Sequence, residues 1–373
     1  MQRLLTGAAF CLAVTLPFAG SALADNLTDV TKKLLTEMKL GEEVMNGLDA
    51  ELAIPADWID KAKAEPGPLR IRWNVDELAF QPIWDLFAAR YPFIEKEFLF
   101  ATGADASTQP LMAFTQGTLV MDVANTIGRE HANWREANGF EELSDLPAIA
   151  SQVPGGFSED KLTAAYSTNS YCMGYNTEKF KKEDMPKTWD DLVNTEAFKG
   201  GKLGLNVNYT VYLPYLVKKN GMEWGTQFMD KLFAMEPQKR REGLQMLSKL
   251  TGLGEFDLAI PQADKQVAFA VKEGATVAWH CAEPVPLSFT KVAIIKGTPK
   301  LYSAKIFLNW LLSREAQLAE FHASFARPAH KDLFETYAVY PEETAGKEFV
   351  IQDEESVKLS AELAKPWGER FGK

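Results

Sequence analysis

Residues 170–205 read SYCMGYNTEKFKKEDMPKTWDDLVNTEAFKGGKLGL, and the order of pieces in this stretch decides how the chain is divided. A tyrosine-rich, strand-like run reaches the turn Asn176-Thr177. Pro186-x-Thr188-Trp189 then opens a helix, and the turn Lys199-Gly200-Gly201-Lys202 leads into another strand. Nothing in it is catalytic. It reads as a chain leaving one domain and beginning the next.

Upstream, the chain alternates strands with helices. After the EPGP punctuation at 65–68, the run LRIRWNV (69–75) alternates apolar and polar residues as a half-buried strand does. A helix over 79–92, a strand over 95–102, a helix over 109–117 and a short strand over 119–126 follow. Such alternation predicts an α/β fold with a mainly parallel sheet covered on both faces. Ligands of such sheets sit at the carboxyl ends of the strands. The candidate contacts there are Asn74, Asp76 and Glu77, then Thr102, Ser107 and Thr108, then Asn125 and Thr126. Asn74 to Glu77, and Ser107 with Thr108, have a plainer reading as helix caps, because Asn, Asp, Ser and Thr satisfy free backbone amides at helix starts.

Downstream of the crossing, a strand over 201–208 precedes expected helices over 209–219, 224–233, 237–250 and 262–272. A strand over 275–280 comes next, then the run 285–299 and a single long helix over 302–321. Asn208, Tyr209 and Thr210 join a strand to a helix, and Trp279, His280 and Glu283 lie at and just after the end of the strand over 275–280. An aromatic such as Trp279 or Tyr209 is expected to pack on a solute while amides and hydroxyls fix its polar ends.

The remaining features narrow the class. The first 24 residues, MQRLLTGAAFCLAVTLPFAGSALA, read as a secretory signal peptide cleaved after Ala24, and no later run is apolar enough to span a membrane. The chain is 46% hydrophobic and 24% charged with a net charge of −11, an ordinary globular balance that argues against nucleic acid or an anionic membrane as partner. There is no Gly-x-Ser-x-Gly elbow, no phosphate-binding Gly-x-x-x-x-Gly-Lys loop and no His-Glu-x-x-His helix, and only four histidines. No catalytic residue, metal set or cofactor is expected. Cys172 and Cys281 follow the leader, and in an exported protein such a pair is either oxidised or two buried thiols.

Four segments in this order resemble bacterial ABC-transporter solute-binding proteins of the type 2 periplasmic group, which includes ferric-iron binders. They are WIDKAKAEPGPLRIRW (58–73), FAARYPFIEKEF (87–98), GYNTEKF with MPKTWDDLVNTEAFKGGKLGL (174–205), and KVAIIKGTPKLYSAKIFLNWLLSREAQ (291–317). The resemblance implies two α/β lobes joined by two hinge strands around a ligand cleft, in a periplasmic monomer that binds and does not catalyse. It divides the chain into a signal peptide (1–24), an N-terminal helical extension (25–65), lobe 1 (66–168 and 284–335), lobe 2 (169–283), and a C-terminal helical segment (336–373) packing on the lobes.

In that scheme Asn169 sits at the first crossing, and Cys172 and Cys281 lie one on each crossing, so a disulfide between them is expected. The implied partners are a small-molecule solute and the permease subunits of an importer. Iron-binding members place adjacent tyrosines shortly before the return crossing, whereas here that place reads Ala278-Trp279-His280-Cys281. A small polar, anionic organic solute is therefore expected ahead of ferric iron.

Overall fold

The computed structural model describes residues 27–101, 105, 108–125 and 131–371. The signal peptide with its cleavage site, and the candidates Thr102, Ser107 and Thr126, lie outside the described residues.

Three helices open the chain: α1 (Asp29–Met38), α2 (Leu48–Glu51) and α3 (Ala56–Ala64). Thr28 caps α1 by accepting the Thr31 amide at 3.1 Å. These helices are built into lobe 1, because Leu34, Trp58 and Ala62 share an apolar cluster with Leu69, Ile71 and Trp73 of β1 (Leu69–Trp73). Glu51 reinforces the join by accepting from Arg314 Nε and lying 2.8 Å from His330 Nε2.

Next come α4 (Glu77–Arg90), β2 (Lys96–Phe100), α5 (Thr108–Thr115), β3 (Val123–Asn125), α6 (His131–Glu136) and the long β4 (Ala164–Asn176). The second half holds α7 (Trp189–Asn194), β5 (Leu203–Asn206), α8 (Leu213–Asn220), α9 (Met222–Ala234), β6 (Gln238–Arg240), α10 (Leu244–Gly252), β7 (Leu258–Ala263), α11 (Asp264–Lys272) and β8 (Val277–His280). The chain returns through β9 (Val285–Ile294), α12 (Leu301–Leu311), α13 (Arg314–Ser324) and β10 (Arg327–Pro328). It ends with α14 (Pro341–Thr344), β11 (Phe349–Ile351) and α15 (Glu354–Phe371).

The strands follow the path β2-β1-β3-β9-β4-β7-β5-β6, with β8 and β10 on β4 and β11 on β9. β4 belongs to both halves: its residues 164–170 pair with β9, and its residues 171–176 pair with β7 and β8. It therefore runs from lobe 1 into lobe 2. Since β9 is antiparallel to both β3 and β4, the parallel set β1, β2 and β3 runs the same way, with carboxyl ends aimed toward lobe 2. β7 is antiparallel to β4, and β5 and β6 are parallel to β7, so their carboxyl ends aim back toward lobe 1. The register thus turns two sets of strand ends toward each other.

The structure revises four element expectations. The helix expected over 209–219 is a 3-10 turn (Tyr209–Val211) followed by α8, which Pro214 at its second position favours as a start. The helix expected over 237–250 begins as β6, with Gly243 separating it from α10. β7, the central strand of lobe 2, was not expected at all, because Pro261 inside Leu258–Ala263 argues against a strand that gives up ladder bonds. The single helix expected over 302–321 breaks at Leu312-Ser313, where the Arg314 amide is held by Glu51 Oε2 at 2.8 Å.

The C-terminal segment belongs to lobe 2. Leu363, Trp367 and Phe371 of α15 lie in the same apolar cluster as Leu203, Tyr209, Leu216 and Phe228. Cys172 and Cys281 are joined as a disulfide with Cα atoms 4.9 Å apart, tying β4 to the residue that follows β8.

Candidate ligand cleft

From lobe 1, β1 delivers Asn74 and β3 delivers Asn125. Asn125 Nδ2 donates to Asn74 Oδ1 at 2.8 Å and to the Tyr166 hydroxyl at 3.0 Å, so the carboxyl ends of β1 and β3 and the start of β4 share one polar chain. Arg72 lies on the same strand end and donates to the Asp105 carbonyl, while its buried Nε has no partner among the described residues. Asp76 and Glu77 do local work instead. Asp76 caps α4 by accepting the Ala79 amide at 2.9 Å, and Glu77 pairs with Lys96. Thr108 starts α5 and is exposed.

At the crossing itself, Asn169 donates to Thr290 Oγ1 at 3.1 Å, which leaves its buried Oδ1 and the neighbouring Ser170 Oγ without partners among the described residues. Unsatisfied polar atoms of this kind are costly unless something fills them.

From lobe 2, β5 leads into Asn208 and Thr210, whose side chains bond each other at 2.9 Å. β6 delivers Arg240 and Arg241, and an open depression of about 620 Å³ is lined by Lys239, Arg240, Arg241 and Glu242. Helix α10 begins there at Gly243 with no side-chain cap, so its first amides remain available as donors. β7 delivers Asp264 and Lys265 at the start of α11. Asp264 accepts backbone amides of Lys265 and Ser170, which pins α11 to the crossing strand, and burial pushes its carboxyl up to about 6.

Four expected contacts are corrected. Tyr209 is 2% exposed and stacks on Phe371 at 4.8 Å under α15, so it is core. Trp279 stacks on Tyr340 at 5.6 Å and donates its indole N–H to the Gln262 carbonyl. His280 lies 2.9 Å from Glu343 Oε2 through Nδ1 and 3.0 Å from the Pro186 carbonyl through Nε2. Glu283 accepts the Glu348 amide at 3.0 Å. The last three sit on the β8 edge of β4 and are engaged by residues 340–348, while β5, β6 and β7 spread from the opposite edge. The groups that the sequence reading missed are Tyr166, Arg240, Arg241, Asp264, Lys265 and Glu320. Asp264-Lys265 directly after the apolar run DLAIPQA was the available signal, and it was hidden by leaving 258–261 unassigned and starting a helix at Gln262.

Among the described residues, no group of three or more His, Cys, Asp or Glu is placed to hold a metal ion, and no helix is long and apolar enough to cross a membrane.

Residues 102–283 match the family model described as bacterial extracellular solute-binding protein. No curated protein matches the chain by sequence. Among solved structures, iron-bound HitA from Pseudomonas aeruginosa is similar at 17% identity and a TM-score of 0.65, covering 83% of this chain and 100% of that one. The Trichodesmium protein IdiA (FutA), in complex with iron and citrate, is similar at 17% identity and a TM-score of 0.68, covering 82% and 99%. An ABC transporter substrate-binding protein from Bradyrhizobium japonicum is similar at 18% identity and a TM-score of 0.66, covering 83% and 100%. Residues 102–283 thus resemble the bacterial extracellular solute-binding proteins in sequence, and the two-lobed fold is the one those solved structures share.

Proposed function

We propose that the chain captures a small anionic organic solute between its lobes in the periplasm, after cleavage behind Ala24, and hands it to the permease of an ABC importer. The observation that carries this reading is the pair of opposed strand-end sets, which brings the amides Asn74 and Asn125 of one lobe toward Arg240, Arg241 and the uncapped α10 of the other. Arg240 is paired with Glu242 at 2.7 Å and Glu255 at 3.3 Å, so the excess positive charge of this wall comes from Lys239 and Arg241, and on a chain of net charge −11 it favours an anion over a cation. A solute touching both walls stabilises the closed arrangement by its differential affinity for that state, and a shift from 1:99 to 99:1 needs about 5.5 kcal/mol. We read the chain as a carrier and not as an enzyme.

The test is mass spectrometry of small molecules released on denaturing the purified protein, with X-ray scattering before and after adding back what is found. Compaction at saturation is expected. No retained or added solute that compacts the protein would overturn the reading.

A second reading, a ferric ion held with an anion, is favoured by the iron-bound and iron–citrate relatives. Titration with ferric citrate, read by metal analysis of the dialysed protein, separates the two.

A further inference from the structure

Two charged side chains stand on opposite lobes, on helices whose ends meet through Phe269 and Phe325. Lys265 stands in the first turn of α11, in lobe 2, and Glu320 near the end of α13, in lobe 1. Each feels the other's charge, yet they make no ion pair within 4.0 Å. The Lys265 ammonium is half-buried and has no hydrogen-bond partner among the described residues, and Glu320 accepts only from Ser324 Oγ, at 2.8 Å. Burial pushes the lysine down and the glutamate up from their ordinary values, and the nearby charges and the Ser324 bond offset this only in part. Tyr166, whose hydroxyl accepts from Asn125 Nδ2 at 3.0 Å, also feels the Glu320 charge. One turn beyond Lys265, Phe269 of α11 meets Phe325, which follows α13, at 5.0 Å, so the two helices that carry the pair touch.

Adjacent helix geometry gives Lys265 no structural reason to be there. A cation in the first turn of a helix is disfavoured by the helix dipole, and here the acid beside it, Asp264, is engaged with Ser170. We infer that Lys265 and Glu320 are the two poles of the binding site, and that they select a solute carrying an acid group for Lys265 and a hydrogen-bond donor for Glu320, with hydroxy acids and amino acids as the simplest cases.

The selection follows from what each class of solute leaves unpaired. A bare cation meets Lys265, and a simple carboxylate leaves Glu320 buried opposite a like charge. A molecule with both groups compensates both lobes at once, and only when they are closed on it. This inference rests on the proposed capture of an organic solute in the cleft.

The test is calorimetric titration of the mature protein with two matched pairs, L-malate against succinate and L-glutamate against glutarate. It is run on the native chain and on Lys265→Met, Lys265→Arg and Glu320→Gln, each checked for folding by circular dichroism. In at least one pair the hydroxy or amino acid is expected to bind about tenfold or more tighter than its partner, because a site built around polar groups rejects the analogue that leaves them unpaired. Lys265→Met is expected to lower that affinity about tenfold or more, Lys265→Arg to recover most of it, and Glu320→Gln to bring the ratio within the pair to about threefold or less. Equal affinity within both pairs, native affinity in Lys265→Met, or no binding by any of the four probes overturns the inference. The proposed capture fails separately, on the absence of compaction with the solute the protein retains.

Discussion

Two charged clusters flank β4 near its crossing, and they differ in how completely the protein satisfies them. On the β8 edge, Glu343 lies 2.6 Å from Lys182 and 2.9 Å from His280 and accepts the Cys281 amide at 3.2 Å, while Lys347 bonds the Cys281 carbonyl. Burial alone would raise the Glu343 carboxyl, but bonds from His280 and Lys182 outweigh it and hold the group at about 2. On the β7 edge, Asp264 is pushed up to about 6 by burial, and Lys265 and Glu320 lack close charged partners. Both clusters are buried and charged. The first is held by close opposite charges within the protein whereas Lys265 and Glu320 are not, and that is the physical mark separating a clamp from a receptor.

The disulfide beside the clamp and the core of lobe 2 predict large stability effects and no binding effect. Removing the disulfide by Cys172→Ala with Cys281→Ala frees a loop of sequence separation 109, and should lower stability by about 4 to 5 kcal/mol in urea unfolding. Tyr209→Ala should cost about 3 to 5 kcal/mol, because it hollows out the contact with Phe371 and Trp367. Unchanged stability with weakened solute binding in that variant would return Tyr209 to the cleft.

The two clusters should also respond to pH with opposite sign. Glu343 has a depressed value, so its contribution of about 3 kcal/mol is present above pH 4.5 and is lost as pH falls toward 2; Glu343→Gln should flatten that acid limb. Asp264 has a raised value, so the folded state holds its proton longer than the unfolded chain. Its contribution is full below pH 3.8 and is lost as pH rises to about 6, and Asp264→Asn should remove that loss. Denaturation midpoints measured from pH 2 to 8 check both, and slopes of the same sign in the two regions would break the distinction.

The smallest stability effect belongs to the receptor side. Lys265→Met should shift stability by less than about 1 kcal/mol in either direction, because no close partner is orphaned when the cation goes. A loss of about 3 kcal/mol or more would show that the lysine is structural.

Much of this architecture was legible in the sequence. Alternating strands and helices up to Asn125, and the crossing at 164–176, are set by local patterns that the structure keeps. The lobe 1 candidates Asn74 and Asn125 could be found because each ends a strand that ordinary alternation reveals. Lobe 2 was harder. β6 has three residues, all polar, and β7 carries a proline, so neither shows the period that identifies a strand. Missing those two strands hid Arg240, Arg241, Asp264 and Lys265 together. His280 and Trp279 drew notice by residue type, yet their partners lie some 60 residues on, at Tyr340 and Glu343, and no local pattern announces such a contact.

The placement of α15 bears on the order in which the molecule can assemble. β11 adds to β9 and the chain then carries Leu363, Trp367 and Phe371 into a core whose other walls begin nearly two hundred residues earlier. As the chain emerges from its amino end, lobe 1 can gather its first helices and strands early, whereas lobe 2 lacks one wall until the final residues are free. The lobe that bears the arginine and lysine wall is therefore the last to become solid.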